Sequence, residues 1–346
     1  MHTMKRWEMN DIGRAALSLN AAVPIPEPGP DEVLVKVMAV ALNHRDKMVI
    51  ESGRGLPLAF PFTPGSDLSG CIVKSGINVT HLAAGDDVIS LFTPDWHDGL
   101  RPGNARELAY RTLGGFYPGV LAQYVVMNPA WLLPKPASLS HHAASTLPCA
   151  ALTAWFALVE RGHLQPGETV LLEGTGGVAM FGLRIAQLRG ARVIVVTRTG
   201  KVQAVKQLGA DTVIDRTTQD VVETVLRLTA DKGVDHVLEI AGGEHLGQAA
   251  AMAAVGGKIY LIGALEGFAV SSPLEPLLFK DLTIHGIGTG HRRALEEMCA
   301  AFDANGVAPV IDTVYPLEAL PAALDHLAKG PFGKIVISVG EEVVST

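Results

Sequence analysis

Cysteine is scarce. Cys71, Cys149 and Cys299 are the only three in 346 residues, too widely spaced for a disulfide framework or a Cys-x-x-Cys metal pair. That usage suits a reducing cytoplasm. Positive charge is also short: the formal net charge is −7, which argues against a nucleic-acid partner, whose recognition needs a basic face. A locally basic pocket for an anionic cofactor is still compatible with it. Residues 1–8 lack the apolar core of a secretory leader. The most apolar window, 143–159, is interrupted by Pro148 and small polar residues, and reads as too short and broken to span a membrane. There is no internal repeat beyond α/β units, no low-complexity tract and no heptad run. The expectation is a cytoplasmic protein with no membrane and no nucleic-acid partner.

The length allows two domains, each with its own core. Residues 1–127 read as many short strands separated by glycine and proline turns, with a long strand at 32–42. From residue 168 the period changes. Strands at 168–173, 191–197, 212–214, 234–240 and 257–263 alternate with helical patterns at 177–189, 201–208, 220–229 and 245–254. Such alternation means a parallel, doubly wound sheet. A strand at 282–285, a glycine-rich loop at 286–291 and a helix at 292–305 follow; the last strands and helix exceed what that sheet needs and can return to the first domain.

The most informative stretch is Val170 to Gly182. An apolar strand runs into Gly174-Thr-Gly176-Gly177-Val178-Ala179, then a helix and a second strand. Gly174 allows the tight turn, Gly176 lets a pyrophosphate approach the backbone, and Ala179 is small enough for close helix–strand packing. The helix start after Gly177 offers N–H donors to phosphate. No Gly-Lys-Ser/Thr follows, so this is no P-loop. About 20 residues on, where an acidic residue commonly binds the adenosine ribose, stand Thr197-Arg198-Thr199-Gly-Lys201 and no carboxylate. Thr197 and Thr199 can donate to a 2′-phosphate, Arg198 offers a guanidinium and Lys201 an ammonium. The same residues also read as a solvated helix start. NADP(H) is the cofactor expected over NAD(H), with Asp215 a weaker contrary candidate.

Asn43-His44-Arg45-Asp46 closes the long strand, a placement that suits either a site or a capping turn opening a helix over 47–51. The irregular insert at 93–118 contains a helix-like run, 104–112, and large side chains (Trp96, His97, Phe116, Tyr117) that can line a pocket or pack a surface lobe.

Together with Pro64-Gly-Ser66-Asp67, Thr146-Leu-Pro-Cys149-Ala-Ala-Leu-Thr153, Val237-Leu-Glu239-Ile-Ala241-Gly242, Gly256 to Gly263 and Phe332-Gly-Lys334-Ile-Val, these motifs resemble the medium-chain dehydrogenase/reductase superfamily. The likeness is nearest to its zinc-type alcohol-dehydrogenase-like and quinone-oxidoreductase-like branch. It implies an α/β plus β fold: a GroES-like catalytic domain, 1–149 with 290–346, and a Rossmann NADP(H)-binding domain, 150–289, with the active cleft between them. It places Thr153 near the nicotinamide ribose or phosphate, and Ala241, Gly242, Gly263, Ala264, Gly288 and Gly290 around the nicotinamide. It implies a homodimer or homotetramer. In metal-dependent members a Cys, a His and a second Cys hold zinc; here those positions carry Asn43, Ser66 and Cys149, and the insert has no cysteine lobe. No metal site is therefore expected. Without a Lewis acid, hydrogen-bond donors must stabilise the developing oxyanion, which is easier on a conjugated acceptor. The expected activity is NADPH-dependent, metal-independent reduction of a quinone or α,β-unsaturated carbonyl. Asn43 and Arg45 are candidate substrate contacts, His44 a proton relay, Ser66 a wall of the vacated ligand position and Tyr117 a proton donor. The alternatives are an alcohol dehydrogenase for a simple alcohol or aldehyde, and a non-enzymatic dinucleotide-binding protein.

Overall fold

The structure is a computed structural model describing residues 2–107 and 109–340. It divides into two compact units, Met1–Ala150 with His291–Thr346, and Ala151–Gly290.

The discontinuous unit begins with β1 (Thr3–Met9), β2 (Leu17–Pro24), β3 (Val33–Leu42), β4 (Asp67–Ser75), β5 (Asp87–Ser90), β6 (Tyr124–Met127) and β7 (Leu132–Pro134). The intervening unit contributes β8 (Thr169–Glu173), β9 (Arg192–Thr197), β10 (Thr212–Asp215), β11 (Val234–Glu239), β12 (Ala253–Leu261) and β13 (Thr283–Gly286). The chain then returns to the first unit with β14 (Ile311–Pro316) and β15 (Lys334–Ser338).

In the first unit β1 and β2 form a ribbon, and the main sheet runs β14-β15-β3-β4-β5-β7, with β6 also on β3. β3 is rich in Val and Ala and buried along nearly its whole length, as a strand paired on both sides should be. β15 pairs with it antiparallel, Ile335 opposite Leu42. Val35, Val37, Leu68, Ile72, Ile335 and Ile337 make the centre of the core, onto which Leu320 and Leu324 of helix Leu320–Ala328 pack. Burying each such side chain contributes roughly 1.5–3 kcal/mol. Trp7 adds its indole to the same core and donates its N–H to the carbonyl of Leu317 at 2.8 Å.

The second unit is an all-parallel sheet, β10-β9-β8-β11-β12-β13. Leu171, Ile194, Val237 and Ile259 fill its core. Strand order reverses between β8 and β11, and ligands of open α/β sheets bind outside the carboxyl ends of strands at such a point.

Two sequence expectations need correction. The run at 104–112 is not a helix: the Asn104 carboxamide oxygen accepts from the amides of Arg106 and Glu107, a local turn that competes with helix formation. Leu108 lies outside the described residues. The apolar window around Pro148 is not broken either. A helix runs from His141 to Arg161, accommodating Pro148 in a wider π turn at Leu147–Ala151. It is 21 residues long and apolar enough to cross a membrane, but 78% of its most apolar window is buried inside the protein, as in a core helix.

Candidate active site

In the discontinuous unit, β3 ends at Leu42 and Asn43 caps helix His44–Ser52, with the Asp46 carboxylate accepting from the Asn43 amide at 2.8 Å. The pairing of β15 with β3 brings Lys334 to this point. Its ammonium donates to the carbonyl of Leu42 at 2.7 Å and to Asn43 Oδ1 at 2.6 Å. An ammonium can only donate, so it fixes the carboxamide's orientation: Oδ1 toward Lys334, and Nδ2 toward Ser66 Oγ at 3.3 Å. Ser66 in turn donates to Asp67 Oδ1 at 2.6 Å, and the Cys149 amide donates to Asp67 Oδ2 at 3.1 Å. Asn43, Asp46, Ser66, Asp67 and Lys334 are all buried.

The chain of bonds runs through a desolvated pocket, and its titratable groups respond accordingly. Burial pushes the Asp46 carboxyl up to about 6, Arg45 opposing and Asp67 adding to the rise. Asp67 is also raised by burial, opposed first by Lys334. The Cys149 thiol is raised strongly by burial and then by Asp67, so it remains protonated at neutral pH.

The other sequence candidates are placed differently. Arg45 was expected to contact substrate oxygen. Its guanidinium instead holds the 112–114 segment, donating to Leu113 O at 3.1 Å and Thr112 Oγ1 at 2.8 Å, and lies over the Phe92 ring. His44 is exposed on the helix; its charged neighbours are Lys47, Glu51 and Arg54, none of them in the buried chain. Tyr117 donates its hydroxyl to Asp95 at 2.7 Å and packs against Trp131. Tyr110 is exposed, and its ring meets Phe92 and the Arg101 guanidinium. Trp96 is a packed lobe residue, edge-on to His291.

As metal donors, Asn43, Ser66 and Cys149 offer an amide, a hydroxyl and a protonated thiol. Zinc takes imidazole, thiolate or carboxylate. The amide oxygen already accepts from an ammonium and the hydroxyl donates to a carboxylate, so this set does not fit a zinc ion.

In the second unit β8 ends at Glu173, Gly174 turns at φ 75°, and helix Gly177–Leu188 starts at Gly176 with no side-chain cap. A Cβ on Gly176 would meet nothing within 4 Å, so the space before these amides is open. Uncapped amides facing open space suit a pyrophosphate. Ala179 is buried against the strand layer while Gly177 and Val178 are half-exposed. The residues expected around the nicotinamide fall in the same unit. Thr153 is buried on its helix, Ala241 and Gly242 donate their amides to Glu239 Oε1, Ala264 is half-buried, Gly288 is exposed and Gly290 packs on Leu152 and Phe156. Between Gly288 and Gly290, the buried hydroxyl of Thr289 has no protein partner among the described residues, the state of a group that meets a ligand. Gly263 has a packing reason of its own: a Cβ there would lie 1.9 Å from the carbonyl oxygen of Ile240. The residues fit a dinucleotide.

At the end of β9, Thr197 is buried, Arg198 is exposed and Lys201 half-buried. Thr199 donates its hydroxyl to Asp215 Oδ2 at 2.6 Å, so it is committed to a carboxylate.

Sequence reasoning assigned no role to Lys334, Glu173 or His245. Lys334 leaves no local signal. Glu173 and Glu239 do: each puts a carboxylate at the end of a parallel strand directly after two apolar residues. Burial and then Glu239 push the Glu173 carboxyl up to about 8.

A parallel sheet with this turn, together with a GroES-like β unit, defines a dinucleotide-dependent oxidoreductase. Residues 177–304 match the model of the zinc-binding dehydrogenase family, and residues 29–137 that of the alcohol dehydrogenase GroES-like domain. A zinc-type alcohol dehydrogenase-like protein of Schizosaccharomyces pombe is 35% identical over 90% of this chain and 91% of its own. Quinone oxidoreductase of Sus scrofa is 26% identical over 94% of each. A solved structure from Sinorhizobium meliloti 1021, described as an alcohol dehydrogenase, superposes with a TM-score of 0.95 at 51% identity, over 98% of this chain and 99% of that one. The chain belongs to the medium-chain dehydrogenase/reductase superfamily.

Proposed function

We propose that this oxidoreductase reduces a quinone or α,β-unsaturated carbonyl with NADPH, without a catalytic metal. The observation that supports it is the Lys334 ammonium bonded to the Asn43 carboxamide, at the position where metal-dependent relatives would place a ligand. The bound dinucleotide supplies the hydride. The chain's own part is to hold a donor for the oxygen that gains charge: the Asn43 carboxamide, whose Nδ2 also meets Ser66 and the Asp67 carboxylate, is the group assigned to the substrate oxygen. Lys334 positions that carboxamide, and Asp67 fixes the Ser66 hydroxyl. A conjugated acceptor spreads its negative charge and needs less stabilisation than a simple ketone. Gly176 to Ala179 would hold the pyrophosphate, and Arg198 with Lys201 the 2′-phosphate. The two domains, 1–149 with 290–346 and 150–289, are assigned to substrate and cofactor. A soluble cytoplasmic homodimer or homotetramer is the proposed state.

A second reading, oxidation of a simple alcohol, is favoured by the alcohol-dehydrogenase descriptions of relatives such as the 51% identical structure. Oxidation of NADPH and NADH with 1,2-naphthoquinone, an enone and a simple ketone separates the two. Rapid NADPH turnover with the first two acceptors, unchanged in Cys149→Ala, supports the proposal. Turnover restricted to simple ketones, or abolished by Cys149→Ala, overturns it.

A further inference from the structure

At the switch point of the parallel sheet, beside the dinucleotide turn, three side chains with no role assigned above face one another. Glu173 closes β8, Glu239 closes β11, and His245 opens helix His245–Met252. One donor atom of each lies within 4.8 Å of the other two. His245 Nδ1 is 3.9 Å from Glu173 Oε2, while its Nε2 is 3.2 Å from Glu266 Oε1. With Nε2–H donated to Glu266, the Nδ1 lone pair is left toward the two carboxylates, the carboxylate–imidazole support that metal-binding histidines use.

Glu239 supplies the second, independent observation. It is fully buried, and its Oε1 accepts from the amides of Ala241 and Gly242 at 2.6 and 2.9 Å. Its Oε2 has no hydrogen-bond donor among the described residues. A buried carboxylate oxygen without a donor, beside a second carboxyl, calls for a shared proton or a cation. Burial and Glu239 hold the Glu173 carboxyl up at about 8, so without a cation the two carboxyls must share a proton. A divalent cation satisfies both: two carboxylates balance its charge, and the imidazole completes three protein ligands with a coordination position left open. The nitrogen donor favours a transition metal over magnesium or calcium, which take oxygen ligands.

We infer that Glu173, Glu239 and His245 form a binding site for a divalent transition-metal ion of the zinc class, with Glu266 orienting the imidazole. The site lies in the dinucleotide-binding unit and uses none of Asn43, Ser66 and Cys149. Its ligand atoms need move together by less than about 1 Å to reach bonding distances of about 2.0–2.2 Å.

The test is equilibrium dialysis of the metal-stripped whole protein against Zn²⁺, with the absorption spectrum of the Co²⁺ form. The expected result is one ion per chain and a cobalt spectrum without a thiolate charge-transfer band. Glu173→Gln and His245→Ala should each weaken binding at least 100-fold, Glu266→Gln about tenfold, and Cys149→Ala should leave it unchanged. Thermal melting of Glu173→Gln in chelator controls for folding: a melt at or above that of stripped wild type makes its loss of metal a loss of ligand. Absence of any bound ion overturns the inference, the two carboxyls then sharing a proton instead. Retention of the ion in both Glu173→Gln and His245→Ala also overturns it. An ion lost in Cys149→Ala, with a thiolate band in the cobalt form, overturns both this inference and the metal-free reading of the active site; absence of any ion overturns this inference alone.

Discussion

Lys334 places its ammonium 2.6 Å from the carboxamide oxygen of Asn43, a residue 291 positions earlier in the chain. This one bond sets the orientation of the proposed oxyanion donor and supplies positive charge next to Asp46 and Asp67. Replacing Lys334 by Met leaves two buried carboxylates without it. The expected loss is about 3–5 kcal/mol, the range for breaking a buried ionic network from one side. Urea denaturation measures it; a loss under about 1 kcal/mol would show that the ammonium is not supporting the pocket.

Asp46 makes stability depend on pH. Its folded value is raised from 3.8 to about 6. Below 3.8 the carboxyl is protonated whether folded or unfolded; between 3.8 and about 6 the folded chain keeps a proton that the unfolded chain has released. The stabilisation present at low pH is therefore lost as pH rises through this window, by at most about 3 kcal/mol. Asp46→Asn should remove that slope, seen by comparing denaturation midpoints of variant and wild type across the window. Parallel pH profiles of the two proteins would refute it.

Two glycines of the dinucleotide unit should respond in opposite ways. Gly176 has φ −75°, and a Cβ there meets nothing. Gly176→Ala should keep stability within about 1 kcal/mol while weakening dinucleotide binding at least tenfold. Gly263→Ala drives a methyl into the Ile240 carbonyl and should lower the melting temperature sharply. Calorimetry paired with cofactor fluorescence titration distinguishes the two. Equal effects on both readouts would mean the open space at Gly176 is not where a ligand sits.

Cofactor preference is tested at Arg198 and Lys201. Removing both should weaken NADPH about tenfold, or about 1.4 kcal/mol, and change NADH by less than about twofold, measured by titration. Equal weakening of both cofactors would place these side chains away from the 2′-phosphate.

Arg45 should act as a fastener of its neighbouring loop. Arg45→Ala removes the donors to Thr112 and Leu113 and should speed hydrogen exchange at the Leu113 and Tyr117 amides. Lys cannot reproduce the planar fork, so Arg45→Lys should rescue little. Unchanged exchange would return Arg45 to the list of substrate contacts.

Local patterns were legible in the sequence where the physics itself is local. The strand, glycine turn and helix at 169–188 depend on residues within one βα unit, where apolar periodicity and glycine spacing carry the information. The change of period at 168 likewise marks the parallel sheet. The substitution of Asn43 and Ser66 for metal ligands is a matter of residue identity and needed no coordinates. Side-chain competition was less legible. Asn104 captures nearby amides in place of a helix, and the helix at 141–161 continues past Pro148 by widening its turn.

What tertiary structure alone decided is which distant groups meet. The register of β15 on β3, Ile335 opposite Leu42, aims Lys334 at Asn43; a slip of one residue would turn that side chain to the other face. The fold likewise commits Arg45 to a loop and gathers Glu173, Glu239 and His245 at one switch point. Residue types and spacing determined the family, the cofactor turn and the missing metal ligands. Burial and strand pairing, which depend on the whole chain at once, decided where the charges sit and so what the site can do.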